Sequence, residues 1–307
     1  MKLSFVICTI SAFAIAPTIA ETIGTVATDL CHERFLGQGW HEQQEYPEEG
    51  APRASTCTAA STPQGSDVSP HLCRAFLLKT GADICIDNAG NVRSDFPSGD
   101  FTEESLDAMF RYPNEVVVID LSGADIVAAL DEAVASGVPA YYDWLNEGES
   151  DAGGDGRYPY ASGLKFDVDV SASAGTSHVS NVLVKKSDET SWVDLDPSSV
   201  YKVAVTEFLA GYYPAFAAGA DTASTSFGVA ADIFKEYVAG IGVLEKLPLD
   251  EYSTQSFIAD PPAGDDGTAT GDDSPGDDGT SPAHITCNTL STLHVVVGII
   301  AIAVSCM

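Results

Sequence analysis

Between Asp83 and Leu121 short apolar runs alternate with turn chemistry so regularly that few architectures remain open to the chain. Ile84-Cys-Ile86 reads as a buried strand, a short apolar run bounded by turn residues. It leads into Asn88-Ala-Gly90-Asn91, where Gly and Asn tolerate the positive φ of a tight turn. Arg93 follows. A helix starts at Thr102, with Glu103 and Glu104 in its first turn, where the helix dipole favours negative charge. Tyr112-Pro-Asn114 is a second turn, and Glu115–Leu121 is a β-branched strand. Asn88, Arg93, Tyr112 and Asn114 therefore sit just past strand ends or just before strand starts, in the kind of loop where α/β scaffolds carry ligands.

Elsewhere the same patterning predicts strands at Ile23–Leu30, Leu164–Val170, Val179–Val184 and Tyr201–Thr206. Leu72–Leu78 is helix-like, and Val229–Val238 forms a last helix. Ser122 followed by Asp125 marks a helix start, with Ile126, Val127, Leu130 and Val134 on one face. Gly37–Val68 is polar and reads as a surface loop pinned at Cys31 and Cys57. Glu147–Gly156 is rich in Gly and Asp, but its spacing does not match an EF-hand, so it reads as a solvated loop.

A net charge of -31, from 14 basic and 45 acidic residues, excludes nucleic acid as a partner held through its backbone. Residues 1–20 combine Lys2, an apolar run and the small-residue end Thr18-Ile-Ala20, the pattern of a secretory signal peptide. The expected domain occupies residues 21–258. Residues 259–292, with repeated Gly-Asp-Asp among Pro, Ser and Thr, read as a disordered acidic stalk and spacer. Residues 293–307 form an apolar tail without a following basic residue. With Gly279 as the candidate attachment residue, this end reads as a lipid-anchor signal that places the protein at the membrane surface, outside the cell. In a secreted domain Cys31, Cys57, Cys73 and Cys85 suggest two disulfides, with three connectivities open. The short loop between Cys57 and Cys73 favours that pair, which leaves Cys31 for Cys85.

The pattern Ala82-Asp-Ile84, Asn88-Ala-Gly-Asn-Val-Arg93, Pro97-Ser-Gly99 and Asn114 resembles the C-terminal, substrate-binding domain of the 5′-nucleotidase and UDP-sugar hydrolase family. That family has Asn-Gly-Gly-Gly-Ile-Arg at the first turn and Pro-Phe-Gly-Asn where this chain has Arg111-Tyr-Pro-Asn114. Leu121–Leu130 with Glu132, Tyr160–Phe166 and Tyr201–Ala210 resemble later family motifs in the same order, with Thr206 in place of an Asn. The resemblance implies a single α+β domain of mixed sheets packed by helices. It also implies a nucleoside or nucleotide ligand whose base lies between two aromatics, Tyr112 and Phe208, with Asn88, Arg93 and Asn114 around it.

Two departures bear on function. Gly211-Tyr-Tyr-Pro214-Ala215 replaces a family Gly-Gly-Asp-Gly loop, and its aromatics have the bulk to fill a nucleoside pocket. The family's metallophosphatase motifs, Asp-x-His and Gly-Asn-His-Asp/Glu, do not occur, and none of the six histidines sits in one. Each histidine reads as a surface or loop residue. The expectation is thus a binding domain with no catalytic residue, metal ligand or cofactor of its own. Divalent metals and hydrolysis would come only with a metallophosphatase partner chain. The alternative is a surface or adhesion protein that kept the fold and lost the pocket.

Overall fold

The computed structural model describes residues 21–32, 57, 65–147, 156–173, 175–187 and 189–259. The expected signal peptide, the stalk, the apolar tail and Gly279 lie outside the described residues, as do His41, His284 and His294.

In chain order the elements are β1 (Thr22–Val26), α1 (Ser69–Thr80), β2 (Ile84–Asn88), β3 (Gly99–Thr102), α2 (Glu103–Met109), β4 (Val116–Ser122), α3 (Gly123–Glu147), β5 (Pro159–Ser162), β6 (Leu164–Asp169), β7 (Val179–Val184) and β8 (Val193–Asp194). There follow β9 (Val200–Thr206), α4 (Glu207–Tyr212), α5 (Pro214–Ala217), α6 (Ala230–Ile241), β10 (Val243–Leu244) and β11 (Thr254–Ile258). The strands form three sheets, ordered β4-β9-β2-β5, β11-β6-β7-β8 and β10-β1-β3. Each sheet holds both parallel and antiparallel pairs, so the class is α+β with mixed sheets.

The sheet β4-β9-β2-β5 divides the interior in two, and the period of two along its strands decides which side each residue serves. Ile84, Ile86, Val117, Ile119, Leu121, Val203 and Val205 enter one core together with Ile126, Leu130 and Val134 of α3. Cys85, Val116, Val118 and Ala204 enter the other, with Leu72 and Phe76 of α1 and Ile233, Phe234 and Val238 of α6. Both faces are thus covered, which is why these strands read as continuous β-branched runs rather than as alternating ones.

Local chemistry sets the element ends. Thr102 caps α2, its hydroxyl accepting from the Ser105 N–H while Ser105 Oγ accepts from the Thr102 N–H. Ser122 and Asp125 form the corresponding pair at α3, with the Asp125 N–H donating to Ser122 Oγ at 3.1 Å. The Tyr160–Phe166 stretch, read as one strand, is two, because Gly163 turns the chain between β5 and β6 at φ 76°. A Cβ there would stand 2.7 Å from the Asp83 carbonyl oxygen. The first strand ends at Val26 rather than at Leu30, and Leu30 makes an isolated bridge to Phe96.

Three expectations are corrected. The disulfides are Cys31–Cys57 and Cys73–Cys85, with Cα separations of 5.6 and 5.4 Å, not Cys57–Cys73 and Cys31–Cys85. Cys73 lies on the buried side of α1, which packs on β2, and there the partner within reach is Cys85. The pinning of the polar loop by Cys31 and Cys57 is as expected. Its last residues, however, are buried: Ser66 Oγ accepts from the N–H groups of Val68 and Ser69 at the start of α1, and Asp67 accepts from the Cys31 N–H and from Tyr252 Oη. His32 and His71 are likewise interior rather than surface residues, because each has a hydrogen-bond partner on both ring nitrogens.

Candidate functional site

Strand direction brings the site together. β2 and β9 are parallel neighbours, so their C-terminal ends emerge side by side. β4 is antiparallel to β9, and Val116 at its start pairs with Thr206 at the end of β9. Three segments therefore leave one edge of the sheet at the same place: Asn88–Arg93 after β2, Tyr112–Asn114 before β4, and α4 after β9. The crevice beyond the carboxyl ends of parallel strands is where open α/β sheets take ligands.

The first segment is a single 3-10 turn, Ala89–Asn91. Its shape is fixed from behind. The Ala89 N–H donates to the Tyr158 carbonyl at 2.9 Å, and the Gly90 N–H to the Gly156 carbonyl at 2.7 Å. Buried His32 lies 3.0 Å from the Ala89 carbonyl through Nε2. A carbonyl only accepts, so Nε2 carries a proton, and Nδ1 lies 2.7 Å from Ser66 Oγ. Gly90 does not adopt the positive φ expected of this turn; an added Cβ would press on Asn88 Nδ2 at 3.1 Å and on Gly156 Cα at 3.2 Å, so the turn and its neighbour would have to shift to admit one. Asn88 itself donates to the Gly156 carbonyl at 3.0 Å, which closes the turn.

All five residues expected from the sequence, Asn88, Arg93, Tyr112, Asn114 and Phe208, line one cleft of about 560 Å³. Tyr112 is 58% exposed and Phe208 49%, so neither ring is spent on the core. Thr206 caps α4 by accepting from the Leu209 N–H at 3.2 Å, and so sets the direction in which Phe208 leaves β9. The Arg93 guanidinium lies 5.9 Å from the Tyr112 ring centroid and makes no ion pair among the described residues. Within a chain of net charge -31, the described residues that line this cleft include two guanidinium groups, Arg93 and Arg157, and the carboxylate Glu207.

The structure adds Arg157 and Asn91, which the sequence did not single out for the site, and places Tyr212, expected there as bulk able to fill the pocket, in its wall. Tyr212 stacks on Phe208 with ring centroids 5.3 Å apart and planes at 26°, and the Arg157 guanidinium lies 5.4 Å from the Tyr212 ring. The two aromatics that replace the family's glycines thus form a wall of the cleft and leave it open. Asn91 donates through Nδ2 to Asp87 Oδ1 at 3.0 Å and accepts on Oδ1 from Asn114 Nδ2 at 3.3 Å. Asp87 is wholly buried, its Oδ2 has no hydrogen-bond partner, and burial pushes its pKa up to about 7. The signal that could have found it is an acidic residue directly after Ile84-Cys-Ile86 on a buried strand. Among the described residues no group of three or more His, Cys, Asp or Glu side chains is placed to hold a metal ion.

Comparison with known proteins agrees with this fold. The solved 5′-nucleotidase precursor of Thermus thermophilus is 24% identical, with a TM-score of 0.56, and the match covers 78% of this chain and 40% of that one. The NAD nucleotidase of Haemophilus influenzae is 16% identical with a TM-score of 0.59, covering 78% of this chain and 39% of that one. Both likenesses show the shared fold. A probable 5′-nucleotidase of Treponema pallidum is 26% identical over 157 residues, which are 49% of this chain and 24% of that protein. The chain thus matches about a quarter of the length of that relative. The family described as 5′-nucleotidase, C-terminal domain matches residues 50–218, more than half of the sequence, and the chain belongs to that family.

Proposed function

We propose that the cleft binds a nucleoside or nucleotide, with the base between Tyr112 and Phe208, Asn88 and Asn114 at its polar edge, and Arg93 toward an anionic or hydroxyl-bearing part. The observation that carries this reading is the convergence of these five residues on one open cleft, with Arg93 paired to no carboxylate among the described residues. Exposed aromatic faces and a guanidinium with no carboxylate partner among the described residues suit a flat, polar, anionic ligand. In this reading the chain binds, and hydrolysis draws its metals from a metallophosphatase chain. We further propose that the domain is secreted and held at the cell surface by its C-terminal end. Calorimetric titration of the purified protein with AMP, adenosine and UDP-glucose tests the binding. Saturable heat is expected with at least one of the three, and silence with all of them overturns the reading.

A second reading, a surface protein that uses the fold without a ligand, is favoured by the Phe208–Tyr212 stack, in which the chain's own ring covers one aromatic face. Calorimetric silence would leave that reading in place.

A further inference from the structure

We propose that Asp87 is a positioning residue that fixes the donor and acceptor direction of the amides lining the cleft, so that the site takes 6-amino purines in preference to 6-oxo purines. This rests on the reading that the cleft holds a nucleobase.

The hydrogen bonds run outward from a buried end. Asp87 belongs to β2 and does not line the cleft. An ionised carboxylate can only accept, so Asn91 must turn its amide nitrogen toward it, as the 3.0 Å contact from Nδ2 to Oδ1 records. Asn91 Oδ1 then points the other way and can only accept, so Asn114 must offer Nδ2, at 3.3 Å. Asn114 is left with Oδ1 and its second Nδ2 hydrogen for the cleft that it lines. Reversing Asn114 would set its oxygen against Asn91 Oδ1. Reversing Asn91 as well would set that oxygen against the carboxylate. Each reversal leaves acceptors facing one another at buried Asn91, where unpaired polar atoms are costly.

An adjacent acceptor and donor on one Asn match the N6–H and N7 edge of adenine. A 6-oxo purine presents O6 and N7 there, two acceptors, and meets the Asn114 oxygen with an oxygen. The position now held by Asn91 is Gly in the related pattern Asn-Gly-Gly-Gly-Ile-Arg, so the relay belongs to this chain's own sequence.

The test compares adenosine with inosine by calorimetric titration of the full chain at pH 8.5, above the titration of Asp87. In the unaltered protein adenosine is expected to bind about tenfold or more tightly than inosine. Asp87→Asn keeps a group able to hydrogen-bond Asn91 but can present either its oxygen or its nitrogen, so direction is lost while packing is kept. Its adenosine-to-inosine ratio should fall to within about twofold, with circular dichroism and melting showing a folded protein. Asn91→Gly cuts the relay at its middle and should give the same collapse, which keeps the test decisive if Asp87→Asn does not fold. A ratio near one in the unaltered protein, or a ratio unchanged in whichever variants fold, overturns the relay while leaving nucleobase binding intact. Failure of both nucleosides and of AMP to bind overturns the relay and the proposed function together.

Discussion

Asp87 and His71 are buried ionisable groups whose titrations pull stability in opposite directions. Burial raises the Asp87 carboxyl from 3.8 to about 7, while burial, aided by the Arg74 charge, lowers the His71 imidazole from 6.5 to about 4. Between about pH 4 and 7 the folded protein holds a proton on Asp87 that the unfolded chain has released, so stability falls as pH rises through that window. Between about pH 4 and 6.5 the unfolded chain holds a proton on His71 that the folded protein lacks, so there stability rises with pH. The two contributions cancel over the shared window. Removing one should expose the other. Relative to the unaltered protein, His71→Gln should lose stability as pH rises from 4.5 to 6.5, and Asp87→Asn should gain it. Each slope should approach about 1.4 kcal/mol per pH unit, read from urea unfolding at several pH values. Parallel curves for all three proteins would count against both assignments. Asp87 is marked in the sequence only as an acid directly after an apolar strand, and His71 not at all: it stands just before the helix-like Leu72–Leu78 and is drawn inside by Tyr237 Oη at 3.0 Å and the Glu245 carbonyl at 2.8 Å, partners more than 160 residues away. Arg93, Tyr112 and Phe208 are readable because each belongs to a motif beside a strand end; Tyr212 is readable as bulk at the pocket but only the fold makes it a wall, and Arg157 acquires its place from the fold alone.

At the level of elements, the strands that carry the site could be read from the chain because they are buried on both faces and so leave unbroken β-branched runs: Val116–Ser122 and Val200–Thr206 fall within one residue of expectation. The short pieces could not. β3, β8 and β10 are two to four residues long, too short to show a period, and their place is set by pairing with β1 and β7. α3 continues through Pro139 to Glu147, although a proline in sequence argues for a stop. The disulfide pairing, by contrast, was legible in the spacing: Cys73 and Cys85 are 12 residues apart against 16 for Cys57 and Cys73, so loop length itself favours the observed pair, which the packing of α1 against β2 brings together, and Cys57 falls to Cys31 across 26. Closing loops of these lengths stabilises the fold by about 3 and about 3.5 kcal/mol in the chain-entropy account. The paired change Cys73→Ala with Cys85→Ala should therefore lose about 3 kcal/mol in chemical denaturation, with the Cys31–Cys57 crosslink intact by peptide mapping. A loss below about 1 kcal/mol would show that the α1–β2 contact holds without its covalent link.

For the whole molecule, the open question is how a domain of this charge is held and where. Among the described residues no helix is long and apolar enough to cross a membrane. The candidate for attachment is the C-terminal sequence. Gly279-Thr-Ser281 offers the small residues of an attachment site, Pro282–Thr292 a polar spacer, and Leu293–Met307 an apolar tail. A span through the hydrocarbon core takes about 20 apolar residues. The apolar run carries His294 within it. The proposed outcome is a glycosylphosphatidylinositol anchor at Gly279 in place of the tail. Treatment of intact cells with phosphatidylinositol-specific phospholipase C should release the domain into the medium, with its C-terminal peptide ending at or beside Gly279. Retention on the membrane while other lipid-anchored proteins are released, together with recovery of a peptide ending in Cys306-Met307, would instead assign the tail to the membrane itself.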